Sequence, residues 1–141
     1  MPYVTTADFI ARFGQRELDQ LLPQAPQDDG RTFAAAEADA SAIVDSYLAS
    51  RPGRTYTLPL VSLPPRLVEI AADLVRYELY GNAAPEEVET RRDAAIAFLE
   101  KIAAGELTMA GLTPEPVAGE VFAVSYAAKD RVFTDETLAG F

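Results

Sequence analysis

The chain has 141 residues, of which 12 are Lys or Arg and 22 are Asp or Glu, so its net charge is −10, and it contains no His, Cys or Trp. This length suits one domain, and the missing residue types exclude Ser–His–Asp and Cys–His catalytic pairs, ordinary zinc and iron–sulfur sites, and disulfides. The acidic excess argues against a protein that grips nucleic acid, because such a protein neutralises phosphates with Lys and Arg.

Two short helices are predicted at the start of the chain. Thr5 or Thr6 can cap the first helix, whose apolar residues follow a helical spacing up to Gly14, where glycine ends the turn. A second short helix follows over residues 15–22 and stops at a proline. The polar stretch of residues 24–31, which contains Asp-Asp-Gly, then predicts a surface loop.

Three long helices are predicted in the middle of the chain. Apolar residues recur there at every third or fourth position, and capping threonine, proline or glycine residues bound each run. The three segments are residues 33–50, the stretch from Pro64 to Gly81, and residues 86–104. The segment between the first two helices, residues 55–63, is predicted to be extended.

The chain changes character after Gly105. Residues 107–119 contain two prolines and two glycines, which excludes a long helix. Residues 120–126 are rich in β-forming side chains and predict a strand, and residues 134–139 predict a short helix. This tail is too irregular to form its own core yet apolar enough to bury something, which favours docking on a partner chain or folding back.

These elements predict an all-α fold: a small bundle of three long and two short helices with an extended C-terminal arm that includes a strand or hairpin. We place the helical domain at residues 1–106 and the arm at residues 107–141. Hydrophobic residues make up 49% of the chain, so it can build a core. Without a signal-peptide pattern or the ~20 apolar residues that span a bilayer, we expect a protein made in the cytoplasm with no membrane partner.

Acidic side chains provide one catalytic alternative. Glu69 and Asp73 lie at i, i+4, and Glu86 and Glu89 lie at i, i+3, so two helices together could hold Mg²⁺ in an all-α nucleotide hydrolase. In the other interpretation, acids in the first turn of a helix complement its dipole and stay solvated. Because no serine has a histidine to activate it, we expect no enzyme, no catalytic residue, no cofactor and no metal.

Arg51, Arg54 and Arg66 flank the predicted extended segment and form a locally basic patch. They could bind phosphate or acidic residues of a neighbouring subunit, or they could be loop arginines with solvated head groups. With residues of the arm they form the candidate surface for contact with a partner protein or a neighbouring subunit. The arm residues of this set are Val121, Phe122, Val124, Tyr126, Arg131, Phe133, Leu138 and Phe141.

The order of several short motifs resembles a family of small proteins from Mu-like bacteriophages and prophages, described as head–tail connector, adaptor or neck proteins. The motifs span about residues 3–107, and a looser match continues in the tail. They are Tyr3-Val4-Thr5, Asp8-Phe9-Ile10, Arg12-Phe13-Gly14, the stretch from Ala38 to Leu48, Tyr56 to Leu60, Pro64 to Leu67, Ala71 to Tyr80, Arg91-Arg92 to Leu99, Ile102 to Gly105, Arg131 to Phe133 and Leu138 to Phe141.

This resemblance implies a structural role in the neck of the virion. Such a protein assembles as a ring, commonly a dodecamer, under the portal protein, extends the DNA channel, and offers a surface to a tail, stopper or tail-terminator protein. The acidic charge agrees with a channel that DNA passes without being held. The magnesium-dependent hydrolase and a generic small interaction protein remain the alternatives.

Overall fold

The computed structural model describes residues 2–22 and 32–116, which form five α-helices and one short pair of strands. The helices are α1 (Thr6–Phe13), α2 (Gln15–Leu21), α3 (Phe33–Ala49), α4 (Pro65–Tyr80) and α5 (Glu86–Ala103), with a 3₁₀ turn at Gly81–Ala83. The strands are β1 (Arg54–Thr55) and β2 (Glu115–Pro116). The predicted all-α bundle of three long and two short helices is confirmed.

Local signals set the helix ends. The Thr5 hydroxyl accepts the Asp8 backbone N–H while the Asp8 carboxylate accepts the Thr5 N–H, a capping box that starts α1. Gly14, at a φ of 93°, ends α1 and precedes α2. The Thr32 hydroxyl accepts the Ala35 N–H and starts α3. The observed helix ends lie within one residue of the predicted ones because these caps act over three or four residues.

The core lies where α3, α4 and α5 pack against one another. Helix α4 is central, since it lies along both α3 and α5 and buries side chains on two sides. Helix α1 joins this core through the buried ring of Phe9, which meets the Phe33 ring edge-on at 5.7 Å between centroids. The largest fully buried side chains are Phe9, Leu48, Leu67, Ile70, Leu74, Leu79, Leu99, Ile102, Val4, Val44, Val75 and Val88.

The predicted extended segment is mostly an irregular loop. Only Arg54–Thr55 is a strand, and it pairs antiparallel with Glu115–Pro116. The rest of the loop is anchored by the buried side chains of Tyr56 and Leu60. Burial alternates along Tyr56–Leu60 as it would in a strand, but bends interrupt the backbone, and Pro59 has no N–H to donate to a ladder.

Residues 104–116 return along the bundle after α5 ends. Gly105 takes a φ of 81°, which reverses the chain, and Met109 is buried in the core. The antiparallel pairing of β2 with β1 then brings Pro116 beside Arg54. The loop predicted at residues 24–31, the strand predicted at 120–126 and the helix predicted at 134–139 all lie outside the described residues.

Candidate functional site: an apolar cleft and a charged cluster

An apolar cleft lies where α4 begins and α5 ends. Its volume is about 390 Å³, and almost all of its lining atoms are apolar. The lining residues are Pro64, Pro65, Arg66, Phe98, Thr108, Met109 and Ala110. Prolines are accepted at the first turn of α4 because the first helical N–H groups need no partner within the helix. The same prolines supply rigid apolar walls at the surface.

Arg66 forms the polar rim of this cleft. Its guanidinium lies over the Phe98 ring at 5.2 Å, and its Nη1 donates to Glu69 Oε2 at 2.6 Å. The side chain of Arg66 is still 55% exposed. An aromatic wall beside a partly exposed guanidinium suits a protein segment that presents an apolar residue next to an acid.

Arg51 holds the returning chain that completes the cleft. Its Nη1 donates to the Tyr56 hydroxyl at 3.2 Å and to the Leu107 carbonyl at 3.0 Å, and its Nη2 donates to Thr108 Oγ1 at 3.4 Å. The guanidinium also lies 5.8 Å from the centre of the Tyr56 ring. Arg51 therefore joins the loop after α3 to the segment after α5, two regions that are more than 50 residues apart in sequence.

Two apolar side chains near this end of the bundle are exposed. Val61, in the loop before α4, is 96% exposed, and Leu107, beside the Arg51 contact, is 37% exposed. Large apolar side chains at the surface are common singly, but here they lie within a few residues of the cleft in sequence. Exposed apolar side chains of this kind become buried when a partner protein binds over them.

The predicted basic patch is divided by the structure. Arg51 has internal partners and Arg66 lies at the cleft rim, while only the backbone of Arg54 is described. The predicted arm residues Val121, Phe122, Val124, Tyr126, Arg131, Phe133, Leu138 and Phe141 lie outside the described residues. The role of this set in partner binding therefore stays a prediction.

A second, charged cluster lies between α1, α4 and α5. It borders a cleft of about 580 Å³ lined by Asp8, Ala11, Arg12, Val68, Glu69, Ala72 and Arg91. Arg12 Nη1 lies 3.5 Å from Glu69 Oε1, and Arg91 Nη1 lies 3.6 Å from Asp73 Oδ1. The hydrogen bond from Arg66, with the positive charges of Arg12 and Arg91, holds the pKa of Glu69 below its ordinary value.

The pKa of Asp73 is shifted in the opposite direction from the pKa of Glu69. Its side chain is largely buried, and in the part of the chain that the structure describes no hydrogen-bond donor reaches its Oδ1. Burial raises the pKa of Asp73, and the nearby charges of Arg91 and Arg12 only partly offset this effect. Two carboxylates one turn apart on α4 thus have opposite pKa shifts.

The four acids of the hydrolase alternative do not form a metal site in the structure. Within residues 2–22 and 32–116, no three acidic side chains are arranged to hold a metal ion. Glu69 and Asp73 face arginines, and Glu86 and Glu89 are exposed in the first turn of α5. The interpretation of Glu86 and Glu89 as solvated acids at a helix N-terminus fits this geometry.

Sequence reasoning missed most of the cleft and one ion pair. Phe98 and Met109 fit a helical core pattern or an irregular tail, and no local signal places them on opposite sides of one surface. Arg76 Nε donates to Glu17 Oε1 at 2.5 Å, and its guanidinium lies 4.6 Å from the centre of the Phe13 ring. Arg76 and Glu17 are 59 residues apart in sequence, so their pairing depends on the tertiary fold.

The comparisons with known proteins now identify the family. The model of the family described as "Bacteriophage Mu, Gp36" matches residues 3–124, which is most of the chain. The chain belongs to the bacteriophage Mu Gp36 family. This result confirms the resemblance to a Mu-like phage family and supports a phage structural or assembly protein.

Two curated phage or prophage proteins are similar to this chain. One is "Mu-like prophage FluMu protein gp36" of Haemophilus influenzae, which is 33% identical over 109 residues covering 76% of this chain and 74% of that protein. The other is "Gene product J" of Escherichia phage Mu, which is 30% identical over 109 residues covering 75% of this chain and 74% of that protein. The helices of the described residues include none long and apolar enough to cross a membrane.

Proposed function

We propose that this protein is a head-to-tail connector of a Mu-like phage, which joins a ring beneath the portal, extends the DNA channel and presents a surface to the tail. The observation that carries the proposal is the apolar cleft, with the exposed Val61 three residues before its Pro64 wall in sequence, in a chain of the phage Mu Gp36 family. Exposed apolar surface on such a protein is expected if partner proteins bury that surface in the virion neck.

A ring of identical protomers would bind its partner stably even if the contact made by each protomer is weak. The described part of each protomer is small, and one apolar cleft offers only a limited area to a partner. In a ring, the same contact recurs once per protomer, and the linked contacts act together. We propose a dodecamer that contacts the portal protein on one side and a stopper or tail-terminator protein on the other.

The acidic charge supports a channel that DNA passes freely. The net charge is −10, and the first turn of α5 alone presents Glu86, Glu87 and Glu89. A basic channel would bind the phosphate backbone and slow its passage, whereas an acidic or neutral wall does not. The proposed place of action is the neck of the virion, with assembly in the cytoplasm of the bacterial host.

The proposal is tested by binding to the portal protein of the same phage. Full-length chain and a chain that ends at Ala118 are each incubated with assembled portal, and the complexes are separated by size and imaged. We expect full-length chain to bind as a ring and the shortened chain to bind at least tenfold more weakly. Circular dichroism must first show that the shortened chain keeps its helices.

The point variant Arg66→Glu tests the rim of the apolar cleft in the same portal-binding assay. Its side chain is mostly exposed, so the helices should form normally, and we expect weaker portal or intersubunit binding. Failure of full-length chain to bind the portal would overturn the connector proposal. Equal binding by the shortened chain would overturn the role of the arm.

A further inference from the structure

The apolar cleft has the dimensions and chemistry of a site for a short extended segment. Phe98, Met109 and two prolines form its walls, and Arg66 supplies charge at one rim. The Arg66 guanidinium carries five N–H donors, and its bond to Glu69 uses one side of the head group. A matching occupant has alternating apolar side chains and one acid beside them.

The chain itself contains such a segment a few residues after the last described residue, Pro116. Residues 120–126 read Glu-Val-Phe-Ala-Val-Ser-Tyr, with Phe122, Val124 and Tyr126 at alternate positions and Glu120 at the start. Pro116, the last residue described, lies beside Arg54 at the same end of the bundle where Arg51 holds Leu107 and Thr108. At about 3.3–3.6 Å per residue, the few residues after Pro116 span more than 10 Å, and residues 120–126 add about 20 Å.

We propose that residues 120–126 dock in the apolar cleft of their own chain in the free protein. Phe122 then lies among the apolar walls, and Glu120 is within reach of Arg66. The short connection gives the segment a millimolar effective concentration at its own cleft, which exceeds the concentration of other copies in solution. Docking covers apolar residues of the arm until a partner competes for them.

This inference does not depend on the connector proposal. It concerns a contact within one chain, and it holds for any partner that later displaces the segment. Its test therefore uses the full-length protein alone, without portal.

Two engineered cysteines test whether the segment occupies the cleft. The chain has no Cys, so the variant with Ala110→Cys and Val124→Cys contains one candidate disulfide. Ala110 is an exposed residue of the cleft wall, so the substitution leaves the core intact. Under mild oxidation at micromolar concentration, we expect rapid formation of a disulfide within one chain, measured by non-reducing gel electrophoresis and intact mass.

The matched control places the first cysteine at the far end of α4. Ala35 borders Gly81, about 24 Å from the start of the 16-residue α4 at 1.5 Å per residue. With Ala35→Cys and Val124→Cys we expect disulfide formation at least tenfold slower. Equal rates for the two pairs would overturn the proposal, and disulfide-linked dimers as the main product would replace it with docking on a second copy.

A tryptophan reporter tests the charge at the rim. The chain has no Trp, so Phe122→Trp reports on this position alone, and docking predicts emission at shorter wavelength than from a solvated indole. Adding Arg66→Glu should shift the emission to longer wavelength, and adding Glu120→Arg to that variant should restore it. The proposed contact would be contradicted if Arg66→Glu left the emission wavelength unchanged. It would also be contradicted if emission stayed at longer wavelength in the charge-swapped variant.

Discussion

Helix α4 packs along its length against α3 and α5, mainly through aliphatic side chains, whereas α1 and α2 add few buried side chains, such as Phe9 and Leu18, and contact α4 through ion pairs as well. On the first side, the contacts are close and continuous, and residues such as Leu74 and Val75 are buried. On the second side, Arg76 reaches Glu17 and Glu69 reaches Arg12. The difference indicates that the three long helices form the stable unit and that α1 and α2 are held by fewer, more specific contacts.

Shortening a core side chain of α4 should have the largest effect. Leu74→Ala removes a buried side chain from the centre of the bundle and should lower the free energy of unfolding by about 2–5 kcal/mol. Urea unfolding followed by circular dichroism measures this change. The same substitution at the exposed Leu107 should cost about 0.5 kcal/mol or less, and a similar loss at both positions would contradict the assigned core.

Removing the ion pair on the other side of α4 should have an intermediate effect. The Arg76 and Glu17 side chains are only 12% and 19% exposed, so Arg76→Ala leaves a carboxylate in a mostly buried site and removes the stacking on Phe13. We expect a loss of about 1–3 kcal/mol in the free energy of unfolding.

A double-mutant cycle separates the pairing from the packing. Arg76→Met keeps most of the side-chain bulk, and with Glu17→Gln it gives the coupling between the two charges, for which we expect about 1 kcal/mol. Zero coupling would show that the Phe9 and Leu18 side chains, rather than charge, hold α1 and α2 in place.

The two acids on α4 should have small effects of opposite sign on stability. The pKa of Asp73 is raised on folding, so its contribution destabilises the fold above the folded pKa and disappears as pH falls below the unfolded value. The pKa of Glu69 is lowered, so its contribution stabilises the fold above the unfolded value and is lost as pH falls through the folded pKa.

Two neutral variants measure these contributions. At about pH 7, Asp73→Asn should raise the midpoint of thermal unfolding and Glu69→Gln should lower it, and both differences should shrink towards about pH 3. Shifts of the same sign at neutral pH would contradict the balance between burial and ion pairing described for this cluster.

The helices could be predicted from sequence because their signals are local. Thr5, Thr32 and Gly105 each act on backbone groups within about one turn, and the apolar spacing of α4 spans its own length. The prediction failed for residues 55–63, where bends interrupt the backbone and only Thr55 pairs with another strand, at Glu115 after α5. A local pattern does not show whether a distant segment will supply a strand partner.

The candidate site depends on contacts between distant parts of the chain. The sequence places Arg51 in a basic patch but does not indicate its partners. Leu107 and Thr108 reach Arg51 because the chain reverses at Gly105, just after α5. The cleft unites the start of α4 with residues that follow α5. Only the packing of α4 on α5 brings these segments together, so their common surface has no signature in either segment alone.

The length of α4 gives the molecule two distinguishable ends for imaging. The cleft lies at the Pro65 end, and the exposed Asn82 lies just beyond Tyr80, about 24 Å away along the 16-residue helix. A small peptide tag inserted at Asn82 would therefore mark the end opposite the cleft. In averaged images of an assembly, the position of that tag would reveal which way every protomer points.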